Sequence, residues 1–136
     1  MLDTNMSKVH KVSGVYMPKN GHKGCLQSHI LALNMIKLNA PRWNRVLILE
    51  DDAELTAPPS QFNEILSKAL DKLDTLDPDW NVLMLATAWK TVSPEDKPES
   101  QALEIFNPQG ERVPLALQRI KAATTSSAYI VKSSYV

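Results

Sequence analysis

Apolar residues recur at spacings of three and four between Gly24 and Asn39, where Cys25, Leu26, Ile30, Leu33 and Ile36 form one stripe. This spacing predicts an amphipathic helix over 24–39, with Gln27, Ser28 and Asn34 on its polar side and Pro41 as its stop. The pattern then changes. Arg45 to Glu50 is a short run of β-branched and leucine residues bounded by polar ones, which predicts a buried strand in a sheet covered on both faces. After a loop with Pro58 and Pro59, Ser60 stands where it can cap a second helix whose Phe62, Ile65, Leu66, Ala69, Leu70 and Leu73 share a face. Asp77 and Pro78 break that helix, and WNVLMLA, Trp80 to Ala86, predicts a second buried strand.

The order helix, strand, helix, strand predicts an α/β fold, a mostly parallel sheet flanked by helices. Beyond Ala88 the periodicity fades, and the Pro-rich, charged residues 90–101 read as an exposed loop. ALEIFNPQGERVPL predicts a β-hairpin turning at Asn107 to Gly110, and a last strand follows around Ala128 to Lys132. No internal repeat is visible.

Composition narrows the function classes without choosing one. The 136 residues fit a single domain, with 43% hydrophobic and 22% charged residues. Lys plus Arg equals Asp plus Glu at 15 each, so no basic field argues for nucleic acid. Cys25 is the single cysteine, which excludes an internal disulfide, and its place on the apolar stripe reads as a small buried hydrophobe. No apolar run reaches the roughly 20 residues needed to span a bilayer, and the polar first residues do not read as a signal peptide. The expectation is a soluble, cytoplasmic chain.

VLILEDDAEL sets Glu50, Asp51 and Asp52 directly after the first strand, between the two helices, where ligands enter open α/β sheets. In an extended segment Glu50 and Asp52 would face one side and Asp51 the other. Adjacent carboxylates repel, and a divalent cation among them lowers that cost; oxygen ligands of this kind suit Mg or Mn. A solvated acidic turn explains the same residues equally well.

A resemblance shifts that balance. GHKGCLQSH at Gly21 to His29, VLILEDDAEL, WNVLMLA and TTSSAYIV occur in the order and approximate spacing of glycosyltransferase family 25, which includes lipopolysaccharide-type galactosyltransferases and collagen hydroxylysine galactosyltransferases. The resemblance implies a GT-A-like, Rossmann-like fold that transfers a hexose, galactose above all, from a UDP-sugar to a glycan or hydroxyl-bearing acceptor. It implies Mn or Mg bridging the donor diphosphate, whose departing charge a cation stabilises. Asp52 and Glu50 would hold the metal, and Asp51, Asp52, Gly24, Ser28 and His29 would contact the donor. Thr124 and Thr125 would touch sugar; Trp89 reads first as a packing residue, and its place just past a strand end makes it the one tryptophan that could stack on a sugar. No residue matches a general base. The family's first strand and its C-terminal region have no counterpart here, so residues 1–136 are expected to be a partial domain, incomplete at both ends.

Plainer readings stand beside these. Gly21 and Gly24 equally suit a helix start or the close approach of a neighbouring segment, and His10 and His22 read as solvated. Trp43 and Trp80 read as packing residues, and Thr124, Thr125 and Ser126 as an ordinary strand start. The alternative function is a non-catalytic relic or nucleotide-binding module of the same fold. An unrelated small α/β protein would require all four motif matches to be accidental.

Overall fold

The computed structural model describes residues 9–55, 57–86, 89–92, 102–107, 109–124 and 127–136. Its elements run α1 (Gly21–Asn39), β1 (Arg45–Leu49), α2 (Pro59–Leu76), β2 (Val82–Ala86), β3 (Trp89–Val92), β4 (Ala102–Phe106), β5 (Arg112–Ala116), β6 (Ile120–Thr124) and β7 (Ala128–Lys132). A short 3-10 turn, Ser133–Tyr135, closes the chain. Helix and strand mix as expected, but the sheet is not the parallel one predicted. One sheet has the order β1-β7-β2, and β3-β6 and β4-β5 form two separate pairs.

Backbone hydrogen bonds fix the directions. Glu50 N–H, at the end of β1, donates to Ser127 O at 2.9 Å, just before β7. Ser133 N–H, after β7, donates to Asn44 O at 3.0 Å, just before β1. Start meets end at both places, so β1 and β7 are antiparallel. Lys132 N–H donates to Asn81 O at 3.0 Å, so β7 also runs opposite to β2. The two strands predicted as parallel neighbours do share a direction, but β7 lies between them. Sequence order alone does not show such an insertion.

The chain divides into two compact units. One comprises the described residues up to Ile48, Asn81–Leu83 and Ile130–Val136. Its helix α1 starts earlier than predicted because Asn20 Oδ1 accepts from Lys23 N–H at 3.0 Å, an N-cap that closes the turn after Pro18. The predicted stripe is only partly core. Ile36 is buried and Leu33 half-buried, whereas Cys25, Leu26 and Ile30 are exposed. His10 lies over Trp43 with ring centroids 4.8 Å apart, so this exposed histidine has an aromatic neighbour.

The other unit comprises Leu49–Trp80 and Met84–Tyr129. Pro59, not Ser60, opens α2: the N-cap position is Pro58, and Pro59 arrives with φ already set for a first helical residue. Leu66 and Ala69 are buried on the predicted face, and Phe62, Ile65, Leu70 and Leu73 are half-buried. Ala69, Leu103 and Ile105 form a core with Ile65, Val113 and Leu117 packed against it, which seats the β4–β5 hairpin on the helix. Ile105 is wholly enclosed, and burying such a side chain contributes about 1.5–3 kcal/mol.

The hairpin turns where predicted. Asn107 Oδ1 accepts from Gln109 N–H at 3.0 Å and Glu111 N–H at 2.8 Å, and Gly110 takes φ +81°. Because Asn107 N–H donates to Glu111 O, the hydrogen-bonded pairs along the ladder are Ile105 with Val113 and Leu103 with Leu115. Pro114 therefore falls at an outward position, where β4 asks for no N–H. On the outer edge of β4, Lys68 Nζ donates to Glu104 O at 2.9 Å and Lys72 Nζ to Ala102 O at 2.5 Å. Lysines over strand carbonyls discourage further strand pairing.

Further departures from the pattern concern single elements. β1 and β2 are half-buried along their centres and exposed at both ends, so neither is covered on both faces. Trp80 precedes β2 and is 5% exposed, its indole N–H donating to Asp74 Oδ1 at 2.8 Å. Lys90, Thr91 and Val92, expected in an exposed loop, belong to β3, which pairs antiparallel with β6. Residues 93–101 lie outside the described residues. The inserted strand β7 is the best buried, with Tyr129, Ile130 and Val131 at 7% exposure or less.

Candidate functional site

The acids occupy a tight turn. β1 stops at Leu49, Ala53 N–H donates to Glu50 O at 3.2 Å, and Asp51 and Asp52 form the turn between. The alternation predicted for an extended segment, Glu50 and Asp52 on one side and Asp51 on the other, does not apply here because the backbone bends at Asp51. Glu50 is half-buried, and Asp51 and Asp52 are exposed. Three carboxylates within one turn repel, and water screens the two exposed ones. Carboxylate oxygens are the kind of donor that Mg or Mn takes, one or two at a time, with water or phosphate in the remaining positions.

The strand β7 brings a second group of candidates to this turn. Ser127 O accepts from Glu50 N–H, so the start of β7 is tied to the first acid. Thr124 ends β6 only three residues before Ser127, and three residues of chain span at most about 11 Å. Trp89 is the cross-strand partner of Thr124 in the β3–β6 ladder. Two of the three predicted sugar-contacting residues are thus paired directly, one short connection from the acidic turn. Thr125 lies outside the described residues. The link through Ser127 had no sequence signal beyond its place beside the Thr-rich segment.

Gly24, Ser28 and His29 lie on α1, and the structure shows what the first two touch. Ser28 Oγ donates to Gly24 O at 2.9 Å and accepts from Val15 N–H at 2.8 Å. A Cβ on Gly24 would stand 2.5 Å from Val15 O and 3.5 Å from Met17 N. Both residues therefore hold the Val15–Met17 segment against the helix, which decides between the two readings of Gly24 for close approach of a neighbouring segment. Among the described residues, nothing lies within 4 Å of the Gly21 Cβ position. Cys25 and His29 stand one helical turn apart, with thiol and a ring nitrogen within 4.8 Å. Cys25 is exposed, against the expectation of a buried hydrophobe. His22 is exposed, as expected.

Among the described residues, no helix is long and apolar enough to cross a membrane.

The family model described as glycosyltransferase family 25 (LPS biosynthesis protein) matches residues 4–136. No curated protein and no solved structure matches the chain. The match takes in α1, the acidic turn and β7, so the motifs that pointed to the family are held within one continuous alignment. The chain belongs to glycosyltransferase family 25.

Proposed function

We propose that this family 25 chain serves the transfer of a hexose, galactose above all, from a UDP-sugar to a glycan or hydroxyl-bearing acceptor. Glycosyl transfer in general follows from the family. The observation that carries the finer reading is the Glu50–Asp51–Asp52 turn, tied by Ser127 to a strand start three residues after Thr124, whose cross-strand partner is Trp89. In this reading Asp52 and Glu50 hold Mn or Mg and Asp51 and Asp52 face the donor diphosphate. A cation bound there would offset the charge that grows on the departing diphosphate. Thr124, Thr125 and Trp89 then line the sugar side, Thr hydroxyls as hydrogen-bond partners and the indole as a stacking face.

Gly24 and Ser28 serve the donor indirectly in this proposal. They fix the Val15–Met17 segment, while His29 supplies a ring nitrogen toward the nucleotide sugar. The acceptor hydroxyl needs a base, and none is assigned.

UDP affinity measured with and without Mn tests the reading. The wild type should bind more tightly with Mn, and Asp52→Asn should lose that difference while its circular dichroism stays unchanged. Metal-independent UDP binding in the wild type would favour the nucleotide-binding module, and Mn-dependent binding unchanged in Asp52→Asn would remove Asp52 from the metal site.

A further inference from the structure

We propose that Cys25 and His29 form a two-point site on α1 for a borderline divalent metal, zinc as the natural occupant and cobalt(II) as its spectroscopic probe. The spacing is that of two ligands on one helix face. Residues four apart lie one above the other, and this interval places the paired histidines of helical zinc sites. Here the thiol and a ring nitrogen already lie within 4.8 Å of each other. Tetrahedral zinc with Zn–S near 2.3 Å and Zn–N near 2.05 Å separates its two donor atoms by about 3.6 Å. Any excess over that separation is at most about 1.2 Å, within reach of a χ1 adjustment at Cys25, an exposed side chain.

The donor set selects the metal. A thiolate with an imidazole prefers zinc or cobalt(II) over Mg or Mn, which take carboxylate and phosphate oxygens. The donor set of this pair therefore differs in chemistry from the carboxylates proposed for the acidic turn, and under the transferase reading an ion on His29 would compete with the donor contact assigned to that ring. Binding balances without redox change. The Cys25 S–H bond breaks, its proton goes to solvent, a sulfur–metal bond forms, and His29 donates as neutral imidazole. Water fills the other positions. An ion held by both residues bridges successive turns at the start of α1, next to the Gly24–Ser28 clamp, and resists fraying there.

Titration of the full chain with cobalt(II) tests this. The wild type should bind one ion per chain, release one proton per ion, show near-ultraviolet thiolate-to-cobalt absorption, and unfold at higher temperature with zinc. Cys25→Ser should lose the absorption and the zinc shift, and His29→Gln should weaken affinity about tenfold or more, equivalent to about 1.4 kcal/mol. Lack of the absorption band in the wild type would overturn the site. So would one ion per two chains, or unchanged affinity in His29→Gln, either of which would mean capture by the thiol alone.

Discussion

Gly24→Ala separates two opposing effects whose sizes the structure sets. In a helix interior this change ordinarily stabilises by about 0.5–1 kcal/mol, because alanine has less backbone freedom to lose. At Gly24 the new Cβ would sit 2.5 Å from Val15 O, and the neighbour is backbone, which no rotamer change can move. To reach ordinary contact the Val15 carbonyl must retreat by about 1 Å. That movement strains or breaks the Val15 N–H to Ser28 Oγ hydrogen bond, now 2.8 Å long. Losing it costs about 0.5–1.5 kcal/mol, and overpacking typically costs about 1–3 kcal/mol. Against the gain of up to about 1 kcal/mol from helix propensity, the net expectation is destabilisation by about 1–2 kcal/mol.

The control lies three residues earlier. Among the described residues nothing lies within 4 Å of the Gly21 Cβ position, so Gly21→Ala should be neutral or slightly stabilising. Urea unfolding of both variants beside the wild type measures the difference, and amide exchange at Val15 shows whether the segment has lifted. A Gly24→Ala protein as stable as Gly21→Ala, with Val15 still protected, would refute the close-approach argument.

Other perturbations isolate single terms. Gly110→Ala keeps open space around the new methyl but places it at φ +81°, so it should cost about 1–2 kcal/mol, with Gly110→Asn milder; thermal unfolding of the pair separates backbone strain from packing. Trp80→Phe removes the indole N–H that Asp74 Oδ1 accepts and leaves a small void at a site 5% exposed; a loss of about 2–3 kcal/mol in denaturant unfolding is expected, and a loss below about 0.5 kcal/mol would show that the bond contributes little. Asp52→Asn should leave unfolding within about 0.5 kcal/mol of wild type, since the side chain is exposed, while changing Mn-dependent UDP binding.

What the sequence disclosed was local. The hairpin was legible because Asn107 to Gly110 carries its own turn chemistry, and the α2 stripe because Leu66 and Ala69 fall on the face that meets Leu103 and Ile105. The last strand was legible as an apolar run. β3 and β6 were not, because WKTV and IKAAT have no clear two-residue alternation; their structure is the pairing itself, supplied by a partner about 30 residues away. Cys25, Leu26 and Ile30 looked like core because they have helical spacing, yet spacing fixes only which residues share a face and not how far along that face the chain covers it: Ile36, in the same stripe, is buried and Cys25 is exposed.

The same limit bears on the site. The acids were visible as composition, but their geometry depends on where the backbone turns and on which strand lies beside them. β7 is last in the chain and sits between β1 and β2, so Ser127 meets Glu50 across 77 positions of sequence. No pattern near the acids encodes that meeting. It follows that the acidic turn is positioned from the far end of the domain. A change that loosens the start of β7, such as Tyr129→Ala at a 7% exposed position, should disturb metal-dependent nucleotide binding without touching a carboxylate. If Tyr129→Ala lost stability by the few kcal/mol expected of an emptied aromatic site but kept full Mn-dependent UDP affinity while folded, the turn would be holding its shape without help from the start of β7.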